Sequence, residues 1–550
     1  MKKTEKVGLY VNTVKYLKPT QIMGQVYRRL PLGKRKVHYS IPQDVEKVHI
    51  IIPELDSGPS YMERFDVDGL MNDRLLLLNE VHELTADWHV EEASHLWNYN
   101  LQYLEYLIPL AVKCSETREE RYKNKCMGII HSWMQQPETP DAWSPYTISL
   151  RIPNILITLE YLNISDSEIY ESVYDQYRYL QKNTETALLA NHYFENIKTI
   201  VIASLLFREL DTYHKYFDIL LKEIKEQILP DGLHYERSLM YHKIILEDIL
   251  RVYTVLSGSE YMLDAEKLIP VIKKMSQALY SLEHGIGRTP LFNDAGDNVS
   301  KTTQSLIRVC DRIAGRADIS GDFPDGGYYR VDNGDIAVLF DCGDIGPRYM
   351  AGHAHNDCLS FELYVKGRPV FVNSGTGQYQ GAMRSYFRST AAHNTMMIDE
   401  REQSELWGEH RAARRIYGIQ AERTPNGMAG RYTSYLGDTF SRGLQWEDNI
   451  LRIHDEIKSK QAGRHIARRF FHLAPGLRYE RSDGTIRVFD NERISAIIKV
   501  VGVADCFIHR DGQITAYAQE FGKYGKKEVL EIRTPFEGHI CLDTEIEIYT

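Results

Sequence analysis

The chain has 550 residues, more than one hydrophobic core usually supports, so its length predicts two or three domains. Hydrophobic residues make up 43% and charged residues 26% of the sequence, which is typical of a globular protein and argues against long disordered segments. The formal net charge of -10 argues against nucleic acid as a partner, because phosphate binding requires a basic surface.

Residues 1–60 contain several prolines and predict a loosely structured lead-in that wraps on the domain after it. The first residues, MKKTEKVGLYVNTVKYLKPTQ, include no apolar run of signal-peptide length, and no later segment reaches the length needed to span a bilayer. Seven cysteines are scattered without CxxC spacing, which argues against a disulfide framework. These features predict a cytoplasmic protein without a transmembrane segment.

From about Arg64 to Ile313 the apolar residues recur at three- and four-residue spacing, as in HLWNYNLQYLEYLIPLAVKC and YHKIILEDILRVYTVL. Short breaks with turn or capping residues, such as LNISDSE, separate these segments and predict helical hairpins. Repeated hairpins build a solenoid or a closed toroid, and the sequence has no fixed-period repeat, which favours the toroid. We therefore predict a toroidal helical domain over residues 61–315.

After about Gly321 the pattern changes to short alternating runs rich in β-branched and aromatic residues, such as DIAVLFDC and ISAIIKVVGV. Turn sequences such as DNGD and SDGT lie between them. We predict an antiparallel β-sandwich over residues 316–550, with the boundary within residues 311–325. The predicted fold class is therefore α+β multidomain, with an N-terminal helical toroid and a C-terminal sandwich.

Two local concentrations of basic residues stand out against the acidic total. They are Arg411, Arg414 and Arg415, and Arg464, Arg468 and Arg469. Each is consistent either with contacts to an anionic sugar chain or with the solvated face of a strand in the sandwich.

The densest polar cluster in the second half is AGHAHNDCLSFEL, in which His353 and His355 alternate with small residues. On a strand, residues i and i+2 point to one face, so both imidazoles could meet one ligand. Asn373 follows in VFVNSGTG and His393 in RSTAAHNT. The residue types fit a divalent metal site, zinc by ligand type, although histidines that bond only to the backbone are the more common case.

Two polar clusters interrupt the helical half. The segment NHYFENIKT places Asn191, His192 and Glu195 within one turn, with the first and last on one face of a helix. The segment DGLHYERSLMYH adds His234, Glu236, Tyr241 and His242. Histidines on helices are more often structural than catalytic, yet these clusters offer the residue types that uronate elimination requires.

That reaction removes the C5 proton of a uronic acid and expels the sugar linked at C4. An enzyme must neutralise the carboxylate, which preorganised Asn, His or Arg donors can do. It must also supply a base and an acid: a histidine serves with little adjustment, and a tyrosine serves as base if nearby cationic or hydrogen-bonding groups lower its pKa from about 10. Asn191, Tyr241 and a histidine of the GHAH segment cover these roles if the two domains face each other across a cleft.

At these residues the sequence resembles the heparinase II/III-like family of polysaccharide lyases, which includes heparan sulfate and alginate lyases. The resemblance is strongest in AGHAHNDCLSFELYVKGRPVFVNSGTGQY and RSYFRSTAAHNTMMIDEREQSE and extends upstream through SPYTISLRIPN, ANHYFENIKT and LFNDAGDN, from about residue 85 to 410. It implies an incomplete (α/α) toroid joined to an antiparallel β-sandwich. It also implies cleavage of an acidic, uronic-acid-containing polysaccharide by β-elimination.

The resemblance implies a role for each matching residue. Asn191 and His192 would hold the uronate carboxylate, with Glu195 as a supporting group. Tyr241 would be the general base or a shared acid and base. The implied proton-transfer partners on the opposite face are His353 and, as a weaker candidate for the acid, Tyr379.

His355 and His393 match zinc ligands of the family, in a site whose metal is structural. The third family ligand is an aspartate, whereas the aligned residue here is Asn373, whose neutral amide binds zinc weakly. Arg384 and Arg388 lie in the matching RSYFRST segment and either contact acid groups of the substrate or pair with acids of the sandwich.

Two alternatives remain open at this point. Helical toroids also carry inverting glycoside hydrolases, for which Asp294 with Asp297, or Glu195 with Glu236, would supply two carboxylates. The second alternative is an inactive polysaccharide-binding or assembly protein of a capsule or exopolysaccharide system. The sequence identifies neither the polymer, nor endo or exo action, nor the oligomeric state.

Overall fold

Helices occupy the N-terminal half of the chain, and antiparallel strands occupy most of the C-terminal half. The computed structural model describes residues 3–30, 37–41, 45–136 and 139–549. Parts of the predicted lead-in, residues 1, 2, 31–36 and 42–44, therefore lie outside the described residues.

The helices up to the predicted domain boundary differ in length from one turn to five. In chain order they are α1 (Lys3–Val14), α2 (Pro19–Arg29), α3 (Pro53–Asp56), α4 (Pro59–Met62), α5 (Val67–Met71), α6 (His95–Tyr103), α7 (Leu107–Thr117), α8 (Glu120–Met134), α9 (Pro145–Leu162), α10 (Ser167–Lys182), α11 (Ala190–Leu206), α12 (Leu210–Gln227), α13 (Leu239–Ser257), α14 (Met262–Glu266), α15 (Ile269–Glu283) and α16 (Thr303–Ala314).

Helices α9, α11 and α13 are buried over most of their surface, as their nearly continuous apolar sequences require, and α11 packs against both of the others. Helix α10 instead buries one stripe that includes Ile169, Val173, Tyr177 and Leu180, at the spacing of one helix face. The fully buried helices thus form an inner layer, and amphipathic helices such as α10 cover it. None of the described helices combines the length and the apolar character that a membrane-crossing helix requires.

Strands follow after α16. They are preceded by a short hairpin, β1 (Arg74–Leu77) and β2 (Glu80–Glu83), and interrupted by one helix, α17 (Gly381–Phe387). The remaining strands are β3 (Asp322–Phe323), β4 (Tyr328–Asp332), β5 (Ile336–Asp341), β6 (Phe361–Val365), β7 (Arg368–Phe371), β8 (Met396–Ile398), β9 (Leu406–Trp407), β10 (Arg411–Ala412), β11 (Tyr417–Thr424), β12 (Gly427–Thr433), β13 (Thr439–Glu447), β14 (Ile450–Lys458), β15 (Arg464–His472), β16 (Leu477–Ser482), β17 (Thr485–Asp490), β18 (Arg493–Val500), β19 (Asp505–His509), β20 (Ala516–Glu520), β21 (Lys523–Lys526), β22 (Val529–Glu537) and β23 (His539–Ile548).

Three larger sheets contain most of these strands. Five strands pair in the order β3-β4-β5-β6-β7, eight in the order β11-β12-β13-β14-β23-β18-β17-β16, and four in the order β19-β22-β15-β8. Alternate residues of β14, such as Leu451 and Ile453, are buried, and they share one apolar cluster with Phe361 of the five-stranded sheet and Ile532 of the four-stranded sheet. The sheets therefore enclose a common core.

A separate apolar cluster joins the helical half to the five-stranded sheet. Leu282 of α15 and Phe292 pack there against Tyr328 and Leu339. Arg330 of β4 also donates through Nη1 to the carbonyl of Ser281 at 2.8 Å. These contacts fix the helical half against the five-stranded sheet.

The region predicted as a loosely structured lead-in contains the helices α1, α2 and α3 and the start of α4. Tyr10 of α1 packs its ring edge-on against Trp407 at 4.8 Å, and the Trp407 indole donates to Thr13 at 3.0 Å. Gln21 of α2 donates to the carbonyls of Leu188 and Tyr349. These helices therefore contact both halves of the chain.

Candidate active site

A cavity of about 640 Å³ opens between the helical half and the strands. All five residues predicted to be catalytic line it together: Asn191, His192, Tyr241, His353 and Tyr379. They come from four segments that are far apart in the sequence, so only the fold brings them to one place. Because the family resemblance implies catalytic roles for these five, we call them the catalytic group.

Two helix N-termini deliver the helical members of the catalytic group. Asn191 and His192 lie in the first turn of α11, directly after Leu189 and Ala190, whose φ angles of 63° and 54° are unusual for non-glycine residues. Tyr241 lies in the first turn of α13, where its backbone N–H donates to the capping Ser238 hydroxyl at 3.3 Å. The positive ends of two helix dipoles therefore point toward the cavity, which favours an anionic ligand.

Glu236, which precedes α13, holds the side chain of Asn191. Its Oε1 accepts hydrogen bonds from Asn191 Nδ2 at 2.9 Å and from the Asn191 backbone N–H at 3.2 Å. Its Oε2 lies 3.8 Å from His353 Nε2, beyond hydrogen-bonding distance. Glu236 does not itself line the cavity. It therefore orients the amide of Asn191 through these hydrogen bonds from the side that faces away from the cavity.

His192 offers an imidazole at the cavity wall. Burial acts to lower its pKa, but Glu185, whose Oε1 is 3.2 Å from Nδ1, together with Glu236 and Glu195, outweighs burial, and the pKa of His192 is raised. The imidazole also packs against the ring of Tyr146 at 4.3 Å between centroids. His192 and Asn191 thus present an imidazole and an amide side by side.

The prediction that His353 and His355 share one face of a strand is wrong. Their segment is a loop between β5 and β6, and the two imidazoles meet opposite oxygens of Asp294. His353 Nδ1 is 2.9 Å from Asp294 Oδ2, and His355 Nε2 is 2.8 Å from Oδ1. With Nδ1 hydrogen-bonded to Asp294, the Nε2 atom of His353 remains available to a ligand.

Asp294 is the centre of this network, which the sequence did not reveal. Burial alone would raise the pKa of its carboxyl, but Arg384 and the hydrogen bonds from His353 and His355 hold that pKa well below its usual range. Asp294 is therefore a buried carboxylate with four charged or polar partners, the fourth being the Thr376 hydroxyl at 3.2 Å.

Tyr241 and Tyr379 form a pair of phenols on the cavity wall. Their hydroxyl oxygens are 2.7 Å apart, and the Tyr241 ring lies 4.1 Å from the His353 ring. Burial, reinforced by Tyr379, Tyr146, Asp294 and Glu236, raises the pKa of Tyr241 well above its ordinary value. The base role predicted for Tyr241 needs a lowered pKa, whereas the structure stabilises the protonated phenol.

His410 completes this side of the cavity and was missed by the sequence analysis. It lines the cavity with its ring 5.5 Å from Tyr379, and burial together with His353 and Arg384 lowers its pKa to about 3. A neutral imidazole in this position can donate or accept one hydrogen bond.

The two arginines predicted to contact the substrate do not line the cavity. Arg384 is fully buried and donates to both oxygens of Asp294, at 2.8 Å from Nη2 to Oδ2. Arg388 is also buried and donates to backbone carbonyls, including that of Ala354 at 3.0 Å. Their donors are thus bound to the protein. Neither arginine pairs with an acid of the predicted sandwich, because Asp294 precedes the strand half and the partners of Arg388 are carbonyls.

Glu195 lines the cavity deeper than the catalytic group and is fully buried. It accepts a hydrogen bond from Lys198, which also donates to Asp248 at 2.7 Å. His234 and His242, the other histidines noted in the helical half, bond to Gln227 and to the carbonyl of Met275 and do not line the cavity.

The two basic clusters have protein partners outside the cavity. Arg411 lies over the ring of Trp407 at 4.9 Å, and Arg414 pairs with Glu405 at 2.5 Å. Arg469 is buried within β15. Neither alternative holds for Arg469, because a buried side chain lies neither in the cavity nor on a solvated strand face.

A candidate metal cluster lies behind the cavity and consists of His355, Asp357 and His393, all buried, with ligand atoms within 4.8 Å of one another. His393 Nδ1 is 2.8 Å from the carbonyl of Ser389 and must carry its proton there, which leaves Nε2 with a lone pair. His355 donates through Nε2 to Asp294, which leaves its Nδ1 with a lone pair. These two nitrogens face each other at 3.2 Å.

Burial lowers the pKa of His355 to about 4 and that of His393 well below its ordinary value, so both rings are neutral. Two lone pairs that face each other repel unless a cation lies between them. Their separation is close to the roughly 3.4 Å between two nitrogens that bind one tetrahedral zinc ion at about 2.05 Å. The donor set therefore fits a divalent metal.

The acidic member of the cluster is Asp357, which the sequence analysis passed over in favour of Asn373. The amide of Asn373 has other partners: its oxygen accepts from the Asn394 backbone at 3.1 Å, and its nitrogen donates to Ser360 at 3.3 Å. Asp357 stands two residues after His355 in the HNDC segment, and that spacing was the available signal.

Family models match most of the chain. The model for the heparinase II/III N-terminus matches residues 76–313, and the model for the heparinase II/III-like C-terminal region matches residues 316–538. A crystal structure of heparinase III superposes with a TM-score of 0.70 at 17% identity, over 96% of this chain and 89% of that one. This likeness establishes a common fold.

Two curated relatives are similar in sequence. A heparin-sulfate lyase of Pedobacter heparinus is 24% identical over 361 residues, which cover 57% of this chain and 53% of that protein. A heparin-sulfate lyase of Bacteroides thetaiotaomicron is 22% identical over 401 residues, covering 61% of this chain and 57% of that protein. The chain therefore matches just over half the length of these relatives.

Proposed function

Since this chain belongs to the heparinase II/III-like family, we propose that it is a polysaccharide lyase that cleaves a uronic-acid-containing acidic polysaccharide by β-elimination. The observation that carries this proposal is the convergence of the catalytic group on one cavity. The two curated relatives carry the name heparin-sulfate lyase, which makes a glycosaminoglycan the first substrate class to examine.

We further propose that the helical half forms an incomplete (α/α) toroid and the strand half a β-sandwich. The fully buried inner helices α9, α11 and α13, which line one cavity, support the toroid. The core shared by the eight-, five- and four-stranded sheets supports the sandwich. The cavity would then lie where the two architectures meet.

In the proposed reaction, Asn191 and His192 receive the uronate carboxylate. The amide donates a hydrogen bond from an orientation set by Glu236, and His192 contributes positive charge because Glu185 raises its pKa. The helix N-terminus on which both residues lie adds a favourable dipole. Neutralising the carboxylate lets negative charge from C5 spread into it as the proton leaves.

The proposed base is His353. Asp294 holds its Nδ1 proton and so orients the Nε2 lone pair toward the ligand, as in other carboxylate–histidine pairs. His353 takes the C5 proton, the electron pair of that bond forms the C4–C5 double bond, and the bond from C4 to the leaving oxygen breaks. Tyr241, whose burial keeps it protonated, gives its proton to that oxygen, and Tyr379 hydrogen-bonds to the phenol.

This division of roles differs from the predicted one, in which Tyr241 was the base or a shared acid and base. The physical reason is the raised pKa of Tyr241 and the anionic character of its charged neighbours Asp294 and Glu236. Tyr379 supports Tyr241 as a hydrogen-bond partner, and the proposal gives Arg384 and Arg388 no contact with the substrate.

We propose that zinc binds to His355, Asp357 and His393. The metal would supply a buried crosslink between the loop after β5 and the segment before β8, and thereby fix the loop that carries His353. The reaction itself uses the side chains that line the cavity.

The carboxylate pairs named for the glycoside-hydrolase alternative do not face each other across the cavity. Asp294 is enclosed by Arg384 and the two histidines, and Asp297 accepts from the Thr289 backbone and from Gln519. Neither of these two carboxylates lines the cavity, and neither does Glu236. An inverting hydrolase needs two carboxylates across the scissile bond.

Replacing Tyr241 with phenylalanine tests the proposal against an inactive binding protein. Tyr241→Phe removes the proton donor and is expected to reduce the formation of unsaturated ends by about 10²–10⁴ while binding of the polymer persists. Tyr280→Phe is the matched control, because Tyr280 lies outside the cavity on α15. If the parent protein forms no unsaturated ends from any uronate polymer but binds one, the binding-protein alternative is correct.

A further inference from the structure

The first helix of the chain carries an apolar stripe on the outside of the protein. On α1, Val7, Val11 and Val14 follow one another at spacings of four and three residues, so they lie on one face of the helix. All three are exposed, and Val11 is 62% exposed. Among the residues that the structure describes, nothing covers this face.

Helix α2 is inverted relative to an ordinary surface helix, which buries its apolar face. Its buried residues are Gln21 and Gly24, and a Cβ atom added at Gly24 would come within 2.7 Å of the backbone nitrogen of Ala187. Its apolar residues face solvent instead; they are Ile22, Met23, Val26, Tyr27 and, at the C-cap, Leu30. A polar side chain and a close backbone contact thus hold α2 on the protein, and the apolar face is left for another partner.

Positive charge is concentrated in the same part of the chain. Residues 1–36 contain ten lysines or arginines and one acidic residue, a formal charge of +9, whereas the whole chain carries -10. Lys6, Lys15 and Arg29, which lie on or next to α1 and α2, are exposed. Apolar helix faces beside clustered cations match a partner that is negative at its surface and apolar beneath it.

We propose that α1 and α2 dock the protein on a membrane of anionic phospholipids. Both helices lie along the membrane surface, with their valine, isoleucine and methionine side chains toward the acyl chains and their lysines and arginines among the headgroups. This interaction is separate from the proposed lyase function and uses no residue of the cavity.

The composition of the surface favours a membrane over two other partners. An acidic polysaccharide would pair with the cations, but its hydroxyl and carboxylate groups offer no apolar surface to valine, isoleucine and methionine. A second copy of the chain, docked by the same surface about a two-fold axis, would bring two segments of charge +9 together, and like charges repel.

Vesicle binding by the unmodified protein is the first test. One set of vesicles contains phosphatidylcholine alone, and the other contains equal parts of phosphatidylglycerol and phosphatidylcholine. The protein is expected to float with the mixed vesicles, at least about tenfold more tightly than with phosphatidylcholine, and to bind more weakly as salt is added. Failure to bind the mixed vesicles at low salt would overturn the proposal.

A pair of double variants connects binding to α2. Met23→Glu with Val26→Glu places two carboxylates on the apolar face, at residues that are 72% and 56% exposed. Met262→Glu with Leu263→Glu is the matched control on α14, at 55% and 72% exposure, with the same change in charge. Neither pair is expected to unfold the protein, because all four side chains are exposed. Affinity for the mixed vesicles is expected to fall tenfold or more in the α2 variant alone, and an equal loss in both variants, or a loss in neither, would overturn the proposal.

The same variants identify the other two partners. If α2 contacts an acidic polysaccharide, the α2 variant loses affinity for a soluble uronate polymer, and the unmodified protein does not bind the mixed vesicles. If a second copy covers α2, the unmodified protein sediments as a dimer that ignores the vesicles, and the α2 variant sediments as a monomer. Either result would overturn docking on a membrane.

Discussion

Replacing Arg384 with methionine measures how strongly this arginine compensates the buried carboxylate of Asp294. The guanidinium donates to both carboxylate oxygens and to the carbonyl of Gly352 at 3.0 Å, and the two charged side chains are completely buried. Removing one partner of a buried ion pair costs about 3–5 kcal/mol, because the other charge remains without compensation. That loss is a large part of the roughly 5–15 kcal/mol that stabilise a folded protein.

Arg388→Met is the matched control. Arg388 is buried four residues later, and its guanidinium donates to backbone carbonyls, at 3.0 Å to Ala354 and 2.9 Å to Glu409. The same substitution there removes a side chain of equal size but leaves no unpaired carboxylate. Its expected cost is therefore smaller, about 1–3 kcal/mol.

The assay is the free energy of unfolding from denaturant titration, supported by thermal unfolding. Adding Asp294→Asn is expected to recover part of the stability lost in Arg384→Met, since the uncompensated charge disappears, and to lower the stability of Arg388→Met further. The reasoning is refuted if Arg384→Met is as stable as Arg388→Met, or if Asp294→Asn brings no recovery. An increase in KM at unchanged stability would instead support the predicted substrate contact of Arg384.

Three further predictions concern the site. Asn191→Ala is expected to lower kcat/KM by about 10²–10³. Asn191→Asp is expected to lower it further, because a carboxylate at this position repels the uronate. Equal losses in the two variants would argue against binding of the uronate carboxylate by Asn191. Because burial raises the pKa of Tyr241, the rate of elimination should not rise between about pH 8 and 10. A tenfold rise in that rate per pH unit would show that the ionised phenol of Tyr241 is the base. Zinc in hundredfold excess over its Kd should raise the free energy of unfolding by about 2.7 kcal/mol. This gain should be lost in Asp357→Asn and retained in Asn373→Ala. Loss of the gain in Asn373→Ala alone would instead assign the third ligand to Asn373.

The residues that the sequence identified correctly as neighbours lie on regular elements with clear periodicity. Asn191 and His192 fall in the first turn of α11, and Tyr241 in the first turn of α13, where the spacing of apolar residues predicted helices. The change from helical to alternating patterns likewise located the strands that follow Asp322. In these regions local sequence is sufficient because the period of the buried face is itself local.

The contacts that the sequence could not reveal join loops across long separations. Asp294 lies in the loop LFNDAGDN, and its bonds reach His353 and Arg384, which are 59 and 90 residues away. The segment AGHAHNDC has the alternation of polar and small residues that is typical of a strand. Its backbone is nevertheless a loop, which the hydrogen bonds to Asp294 hold in place. No local periodicity encodes such contacts. The cytoplasmic location predicted from the N-terminal sequence stays a prediction, which cell fractionation would check.

The most direct measurement counts two products of the unmodified protein on a panel of defined uronic-acid polymers. New reducing ends and new unsaturated ends are quantified in the same samples. Elimination by the catalytic group is expected to yield one unsaturated end for every reducing end on at least one polymer. Reducing ends without double bonds would show hydrolysis and contradict the proposed lyase.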